Sequence, residues 1–126
     1  MCSIYQHFKE KYPQNLDEAF IIDFDCGWGW EALLDKVFKE IQDTDIKIIQ
    51  VKEKFGGLRI YTNTDKFLSV INSVEIESFK VCEICGNRKT VTTEGSWLKT
   101  LCKKCRDKQY EKDYEDKLDS LEEFEK

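Results

Sequence analysis

The sequence predicts an α+β fold in which a small domain of helices and a β-hairpin is followed by a cysteine-rich module. Three observations lead to this prediction. Apolar residues recur at helical spacing between residues 30 and 41, β-branched residues alternate on both sides of a glycine turn at 55–57, and two C-x-x-C turns follow. We therefore expect an α+β core over residues 1–79, with a hairpin at 46–63, and a four-cysteine module with a charged C-terminal helix over residues 80–126.

The elements of the predicted core follow one another in a simple order. Residues 3–12 have apolar side chains at near-helical spacing and end at Pro13, and residues 19–24 form a short apolar strand or an extended segment. A break at 27–30 then precedes a helix with a regular apolar stripe: Trp30, Leu33, Leu34, Val37, Phe38 and Ile41. Residues 46–54 and 58–63 are the two strands of the hairpin, and residues 65–76 form a second core helix.

Two C-x-x-C turns place four cysteines within the module: Cys82, Cys85, Cys102 and Cys105. A C-x-x-C turn is the shortest segment that lets two sulfurs reach one metal, and Zn²⁺ takes four thiolates in a tetrahedron. The pattern predicts one Zn²⁺ in a closed, structural site. A catalytic zinc keeps a position open for water and usually has a histidine or carboxylate among its ligands, whereas the single histidine, His7, is far away in the sequence. The alternatives are a pair of redox C-x-x-C motifs or a disulfide pair.

The segments around the cysteines predict a treble-clef-like order of knuckle, hairpin and helix. Gly86 permits a tight knuckle after the first cysteine pair, and residues 89–101 form two short strands about Glu94-Gly95-Ser96. After Cys105 we expect a long charged helix with an apolar stripe of Tyr110, Tyr114, Leu118, Leu121 and Phe124. A zinc ribbon would instead require a second hairpin after Cys105.

Charge is distributed unevenly along this chain, whose net charge is −5. Residues 80–106 carry seven basic and two acidic side chains, or +5, which the charge of about −2 on a zinc tetrathiolate reduces to about +3. Residues 107–126 carry nine acids and four lysines, or −5. Lys103 and Lys104 either donate toward the thiolates or bind phosphate. The acidic helix is solvated, folded onto its own core or presented to a partner.

The predicted hairpin carries a second basic cluster. A two-residue turn at Phe55-Gly56 or Gly56-Gly57 collects five side chains on one face: Gln50, Lys52, Lys54, Arg59 and Tyr61. A three-residue loop would instead place Glu53 beside Arg59 as an ion pair. The first arrangement is typical of a sheet that binds RNA or phosphate, or of an ordinary exposed sheet face that lysines protect.

The three tryptophans have different expected roles. Trp30 belongs to the core stripe. Trp28 lies between two glycines and is a candidate binding hot spot. Trp97 lies on the hairpin between the cysteine pairs, where an aromatic side chain commonly shields the flank of a metal.

Catalytic chemistry has weaker support in the sequence. Cys26 is either a nucleophile or a small buried side chain, and no histidine lies near it. Asp23, Asp25 and Glu31 form a carboxylate cluster that either binds Mg²⁺ or is solvated. No catalytic residue is predicted. We expect a cytoplasmic protein without membrane association, because the chain shows no signal-peptide pattern and no apolar stretch near about 20 residues, and paired thiolates fit a reducing compartment.

Four motifs occur together in a fixed order: Gly27-Trp28-Gly29-Trp30, QVKEKFGGLRIY at 50–61, Cys82-Glu-Ile-Cys85-Gly86 and WLKTLC at 97–102. This combination resembles a group of small, mostly uncharacterised proteins of bacteriophages and bacterial genomes, over roughly residues 25–106. The resemblance implies an intracellular accessory protein of a phage or prophage, active in the host cytoplasm, with a C-terminal zinc finger. It implies no catalytic residues.

Together these observations predict a non-enzymatic zinc-finger interaction protein that binds and modulates a host protein. The alternative is a nucleic-acid-binding module that uses the basic hairpin face and the basic finger. A metal-dependent nuclease is a lesser alternative.

Overall fold

The computed structural model describes residues 4–66 and 68–109 and confirms a mixed α+β fold. Its helices are α1 (Ile4–Lys11), α2 (Glu31–Ile41) and α3 (Leu68–Ser78), and a 3-10 turn, Trp28–Trp30, leads into α2. Its strands are β1 (Asp23–Asp25), β2 (Ile48–Lys54), β3 (Gly57–Thr62), β4 (Thr92–Glu94) and β5 (Lys99–Leu101). Residues 103–109 are also helical. The remainder of the predicted C-terminal helix, at 110–126, lies outside the described residues.

The strands form two separate sheets. β1, β2 and β3 lie side by side in that order, with β1 parallel and β3 antiparallel to β2. β4 and β5 form an antiparallel pair of their own. We call β2–β3 the sheet hairpin and β4–β5 the metal hairpin.

The apolar stripe of α2 forms the centre of the core, as the 3.6-residue period predicts. Each of its members is buried: Trp30, Leu33, Leu34, Val37, Phe38 and Ile41. α1 and the residue that follows it add two aromatic rings, because Phe38 stacks on Phe8 of α1 and on Tyr12 at centroid distances of 4.9 and 5.0 Å. The inner face of the sheet hairpin joins the same cluster through Val51, Leu58 and Ile60. The outer face of the sheet carries the polar residues of the alternation.

The turn of the sheet hairpin settles which side chains share a face. Phe55 and Gly56 both have positive φ angles, of 55° and 86°, and Lys54 pairs directly with Gly57. This is the two-residue turn whose twist matches that of the strands, and glycine accommodates the second position without strain. The predicted face assignment is therefore confirmed, and the three-residue loop is excluded.

Helix α3 covers the free edge of β3. The backbone N–H of Leu58 donates to Ser78 Oγ, and that of Ile60 donates to Glu75 Oε2, each at 2.9 Å. These two amides would otherwise be unpaired at the edge of the sheet. Side chains of α3 thus terminate the sheet on this side.

Two predicted boundaries differ from the structure. The strand predicted at 19–24 is reduced to β1, and Phe20 and Ile22 are exposed. The run reaches β2 only from Ile22 onward, where the N–H of Ile22 donates to Ile49 O at 2.7 Å and Phe24 lies beside Val51. The helix predicted at 65–76 lies at Leu68–Ser78 instead, after a polar turn at 63–66.

Candidate metal centre

The four predicted cysteine ligands converge on one point. The Sγ atoms of Cys82, Cys85, Cys102 and Cys105 all lie within 4.8 Å of one another, and those of Cys85 and Cys102 are 3.7 Å apart. No other group of three or more His, Cys, Asp or Glu side chains with metal-binding geometry occurs within residues 4–66 and 68–109. The thiols are the candidate functional site of this chain.

Two short segments present the cysteines. Residues 82–86 form a knuckle, in which the N–H of Gly86 donates to Cys82 O at 2.9 Å and Gly86 has a φ of 79°. Cys102 immediately precedes the helical segment 103–109, and Cys105 lies in its first turn. The knuckle, β4, β5 and the helical segment 103–109 follow one another in this order along the chain.

The spacing of the sulfurs fits a tetrahedral ion. With metal–sulfur bonds of about 2.3 Å, the edge of a regular tetrahedron is about 3.8 Å, close to the distance between Cys85 and Cys102. A disulfide requires sulfurs at about 2.05 Å, so these thiols stand at the separation of metal ligands rather than of bonded partners. The donor set consists of thiolates alone, which suits Zn²⁺.

The electrostatics of the cluster also favour a cation. A hydrogen bond from the backbone N–H of Cys105 lowers the pKa of Cys102 to about 7. Burial and the neighbouring thiols raise the pKa of Cys105 to about 12. Four thiols this close cannot all ionise unless positive charge compensates them, and a divalent ion supplies that charge.

The knuckle is docked on the turn that precedes α2. The N–H of Gly29 donates to Glu83 O at 2.7 Å, and the N–H of Gly27 donates to Glu83 Oε2 at 3.0 Å. The buried indole Nε1 of Trp30 donates to Val81 O at 2.9 Å. Burial raises the pKa of the Glu83 carboxyl, while the N–H of Gly27 and the charge of Lys99 act in the opposite direction. The residues on both sides of Cys82 are therefore fixed by 27–30.

The two glycines of this turn make the docking possible. A Cβ at Gly29 would lie 2.0 Å from Cys82 O, and one at Gly27 would lie 2.3 Å from Glu83 O. Both obstacles are backbone atoms, which cannot rotate away. From sequence, Gly27-Trp28-Gly29-Trp30 is predicted only as a break before α2, although two glycines around one tryptophan are a signal for such a close approach of backbones.

The metal hairpin is attached to the turn of the sheet hairpin. Thr100 is fully buried, and its hydroxyl donates to Gly56 O and also pairs with Thr93 Oγ1 at 2.6 Å. Lys99 Nζ lies 3.1 Å from Glu53 Oε1 in an ion pair. The centre is thus held at two places on the preceding chain.

Several basic residues of the predicted finger have structural contacts. Arg106 donates from its guanidinium to Thr92 O at 2.6 Å and to Lys99 O at 2.9 Å. Arg88 pairs with Glu77 at 2.9 Å, and Lys99 has its partner in Glu53. The remaining four are exposed: Lys80, Lys89, Lys103 and Lys104. Some of the predicted basic side chains are therefore used in contacts within the module and with α3.

The tryptophans differ in exposure. Trp30 is fully buried, which confirms its predicted place in the core. Trp28 is 43% exposed and packs edge-on against His7 at a centroid distance of 5.5 Å. Trp97 is 77% exposed, so it does not shield the sulfurs as expected. It lies in the loop of the metal hairpin, where it lines a cleft of about 740 Å³ together with Ile84.

The outer face of the sheet carries the predicted basic face, which we define as Lys52, Lys54, Arg59 and Tyr61. Lys52 lies opposite Arg59, and its Nζ is 5.7 Å from the centroid of the Tyr61 ring. Parallel pairing places Asp23 beside Gln50 and Asp25 beside Lys52, so two acids of β1 share this face. The sequence could not show this, because it does not say which strand pairs with β2. The added acids of β1 reduce the positive potential of the face.

The residues considered for catalysis do not form a site. Asp23 and Asp25 are exposed on β1, while Glu31 lies 3.1 Å from His7 Nε2. They form no metal-binding group within the described part of the chain. Burial, with the nearby Glu83 and Asp25 carboxylates, raises the pKa of Cys26 to about 12. The thiol therefore stays protonated at neutral pH, as expected of a partly buried side chain packed against the core rather than a nucleophile.

No protein-family model, curated protein or solved structure matches this chain significantly. Within residues 4–66 and 68–109, no helix has the length and apolar character needed to cross a membrane.

Proposed function

We propose that the four cysteines hold one structural Zn²⁺ and that the protein is a non-enzymatic zinc-finger interaction protein with a treble-clef-like module. The convergence of the four Sγ atoms within 4.8 Å carries this proposal. Four protein sulfurs complete a tetrahedron, so no coordination position is left for a reacting water. The ion would fix the knuckle, the metal hairpin and the helix start relative to one another.

Metal analysis of the purified protein tests the metal part of the proposal. We expect about one zinc per chain, lost when Cys85 is replaced by serine. Replacement of zinc by Co²⁺ should give the absorption bands of tetrahedral cobalt with thiolate ligands. Cys26→Ser is the matched control, because Cys26 lies outside the cluster and should leave zinc content unchanged. Protein that contains no zinc and gives no such bands would contradict the proposal.

The interaction part of the proposal rests on exposed aromatic side chains held by this scaffold. We propose a protein partner of the host in the cytoplasm, consistent with the resemblance to phage and prophage accessory proteins. Trp28 is the proposed anchor, because a half-exposed indole held against His7 loses little conformational entropy on binding.

Affinity capture from host lysate tests this part. We expect one stoichiometric protein partner, and weaker capture by Trp28→Ala. Trp97→Ala is the matched control, since Trp97 is also an exposed tryptophan but lies in the loop of the metal hairpin. A monodisperse, zinc-loaded protein that captures no partner would overturn the proposal.

Nucleic-acid binding is the second candidate, and the side chains of the basic face favour it. Lys52, Arg59 and Tyr61 lie together on the outer face of the sheet, where a phosphate backbone and a stacked base would find complementary groups. Binding of single-stranded RNA or DNA should weaken steeply with salt. Lys54→Glu and Arg59→Glu should each reduce it, while Lys66→Glu makes the same charge change away from the face. This candidate function would be excluded if all three variants bind the nucleic acid equally well, or if the wild type does not bind it at low salt.

A further inference from the structure

The strongest feature that the proposed function leaves unexplained is the contact between the knuckle and residues 27–30. Three hydrogen bonds cross this contact, and all of them reach acceptors on the residues that flank Cys82. The donors are the N–H groups of Gly27 and Gly29 and the indole of Trp30. None of these three residues is a metal ligand.

The contact links the knuckle directly to the centre of the core. Trp30 is the first member of the α2 stripe and is fully buried, so its indole N–H has no access to water. Its partner, Val81 O, belongs to the residue before the first ligand. A displaced knuckle would leave this donor unpaired in an apolar site, which is costly, and a displaced Trp30 would release Val81.

Packing strengthens the link from the other side. The space that a Cβ of Gly29 would need is already filled by Cys82 O at 2.0 Å, and Gly86 of the knuckle approaches Gly29 in turn, with its own ideal Cβ 3.2 Å from Gly29 O. The two backbones are therefore in direct contact without intervening side chains. Interlocked backbones of this kind shift together rather than independently.

We propose that residues 27–30 are positioning residues of the metal centre, so that metal binding and the stability of the α2 core are thermodynamically coupled through them. Metal binding that fixes the knuckle then stabilises the core by a coupling free energy. A change that disrupts this coupling by shifting residues 27–30 weakens metal binding by the same free energy. This inference rests on the proposed binding of zinc by the four cysteines. It adds that the effect of the metal crosses the predicted boundary at residue 80 and reaches α2.

The first test measures zinc affinity by competition with a chromophoric chelator. Gly29→Ala should weaken zinc binding by about 10- to 100-fold, the effect typical of residues that orient metal ligands without touching the metal. Trp30→Phe, which keeps an aromatic ring but removes the N–H, should weaken it by a smaller factor. Trp30→Phe also allows the zinc affinity to be measured if Gly29→Ala does not fold.

The matched control separates positioning from general loss of stability. Asn15→Ala removes a buried side chain that donates to Ile41 O at 3.0 Å and Ile46 O at 2.9 Å, remote from the cysteines. It should lower the stability of the core, yet leave the zinc affinity of the folded protein within about twofold of the wild type.

The second test measures the reciprocal effect. Removal of zinc from the wild type should accelerate hydrogen exchange at the backbone amides of α2 and β2, although neither carries a ligand. The inference would be overturned if the wild type binds zinc, if Gly29→Ala and Trp30→Phe bind it with the same affinity, and if hydrogen exchange in α2 does not change when zinc is removed. The proposed function would remain intact in that case. Wild-type protein that binds no zinc would instead overturn the proposed function itself.

Discussion

Replacing Thr100 with valine should lower the free energy of unfolding of the protein by about 2 kcal/mol. Valine has nearly the shape of threonine, so the change removes a hydroxyl and little else. Thr100 is fully buried at the contact between the metal hairpin and the turn of the sheet hairpin. The substitution therefore tests the attachment of the metal hairpin to the sheet hairpin without touching a ligand.

The magnitude follows from the direction of the hydrogen bonds. A hydroxyl has one hydrogen, and a carbonyl can only accept, so Thr100 uses its hydrogen on Gly56 O. Thr93 must then donate to Thr100 Oγ1, over a distance of 2.6 Å. Valine at position 100 removes both bonds and leaves the carbonyl of Gly56 without this donor. A buried acceptor without a partner costs about 1–3 kcal/mol, and the half-buried Thr93 hydroxyl adds less.

The variant Thr93→Val provides the matched control, because it removes only the bond from Thr93 to Thr100 Oγ1 and keeps the bond from Thr100 to Gly56 O. We expect it to cost about 0.5–1 kcal/mol in urea unfolding followed by tryptophan fluorescence. The double variant should unfold at nearly the same urea concentration as Thr100→Val alone, since Thr93 has nothing left to donate to in that background. Two equal and additive losses, or no loss from Thr100→Val, would refute this chain of hydrogen bonds.

Two further predictions concern titratable groups. Partial burial raises the pKa of Asp35, but hydrogen bonds from Tyr12, Lys11 and Lys39 outweigh it and lower the value to about 2. The wild type should therefore exceed Asp35→Asn in unfolding free energy by up to about 2 kcal/mol above pH 4, and the difference should vanish as the pH falls toward 2. Comparing the two proteins at each pH cancels the effects of acid on the cysteines. A difference in unfolding free energy that does not depend on pH would refute the assignment of this pKa to Asp35. Iodoacetamide at pH 8 should alkylate Cys26 at least about tenfold more slowly in the native protein than in the urea-unfolded chain. Peptide mass spectrometry can measure both rates. Equal rates would show that the Cys26 thiol is neither buried nor protonated in the native protein.

The elements with a strong period are those that sequence could predict. The stripe from Trp30 to Ile41 identifies α2 and its buried face, and the alternation on both sides of 55–57 identifies the sheet hairpin, although its register depends on the turn that the structure shows. The four ligands follow from the spacing of the cysteines alone. In each case the determining residues are close together in the sequence, and their chemistry allows few arrangements.

The contacts between distant segments could not be predicted in this way. Nothing local to Gly29 announces that the backbone of Cys82 will lie against it, and nothing local to Asp25 announces that it will pair beside Lys52. Trp97 shows the converse error. An expectation taken from aromatic residues near metals places it over the sulfurs, whereas its place in the loop of the metal hairpin leaves it exposed.

The bond between Trp30 and Val81 also bears on how the chain is made. Its two ends are 51 residues apart, so the indole emerges from the ribosome well before its acceptor does. A nascent chain that ends before residue 81 can already collapse the apolar side chains of α2, but it has no carbonyl for Trp30 and no knuckle against Gly29. The hydrogen bond of Trp30 and the packing against Gly29 therefore form only after residues 81–86 have been synthesised, so translation delivers the four-cysteine cluster after the residues of α2.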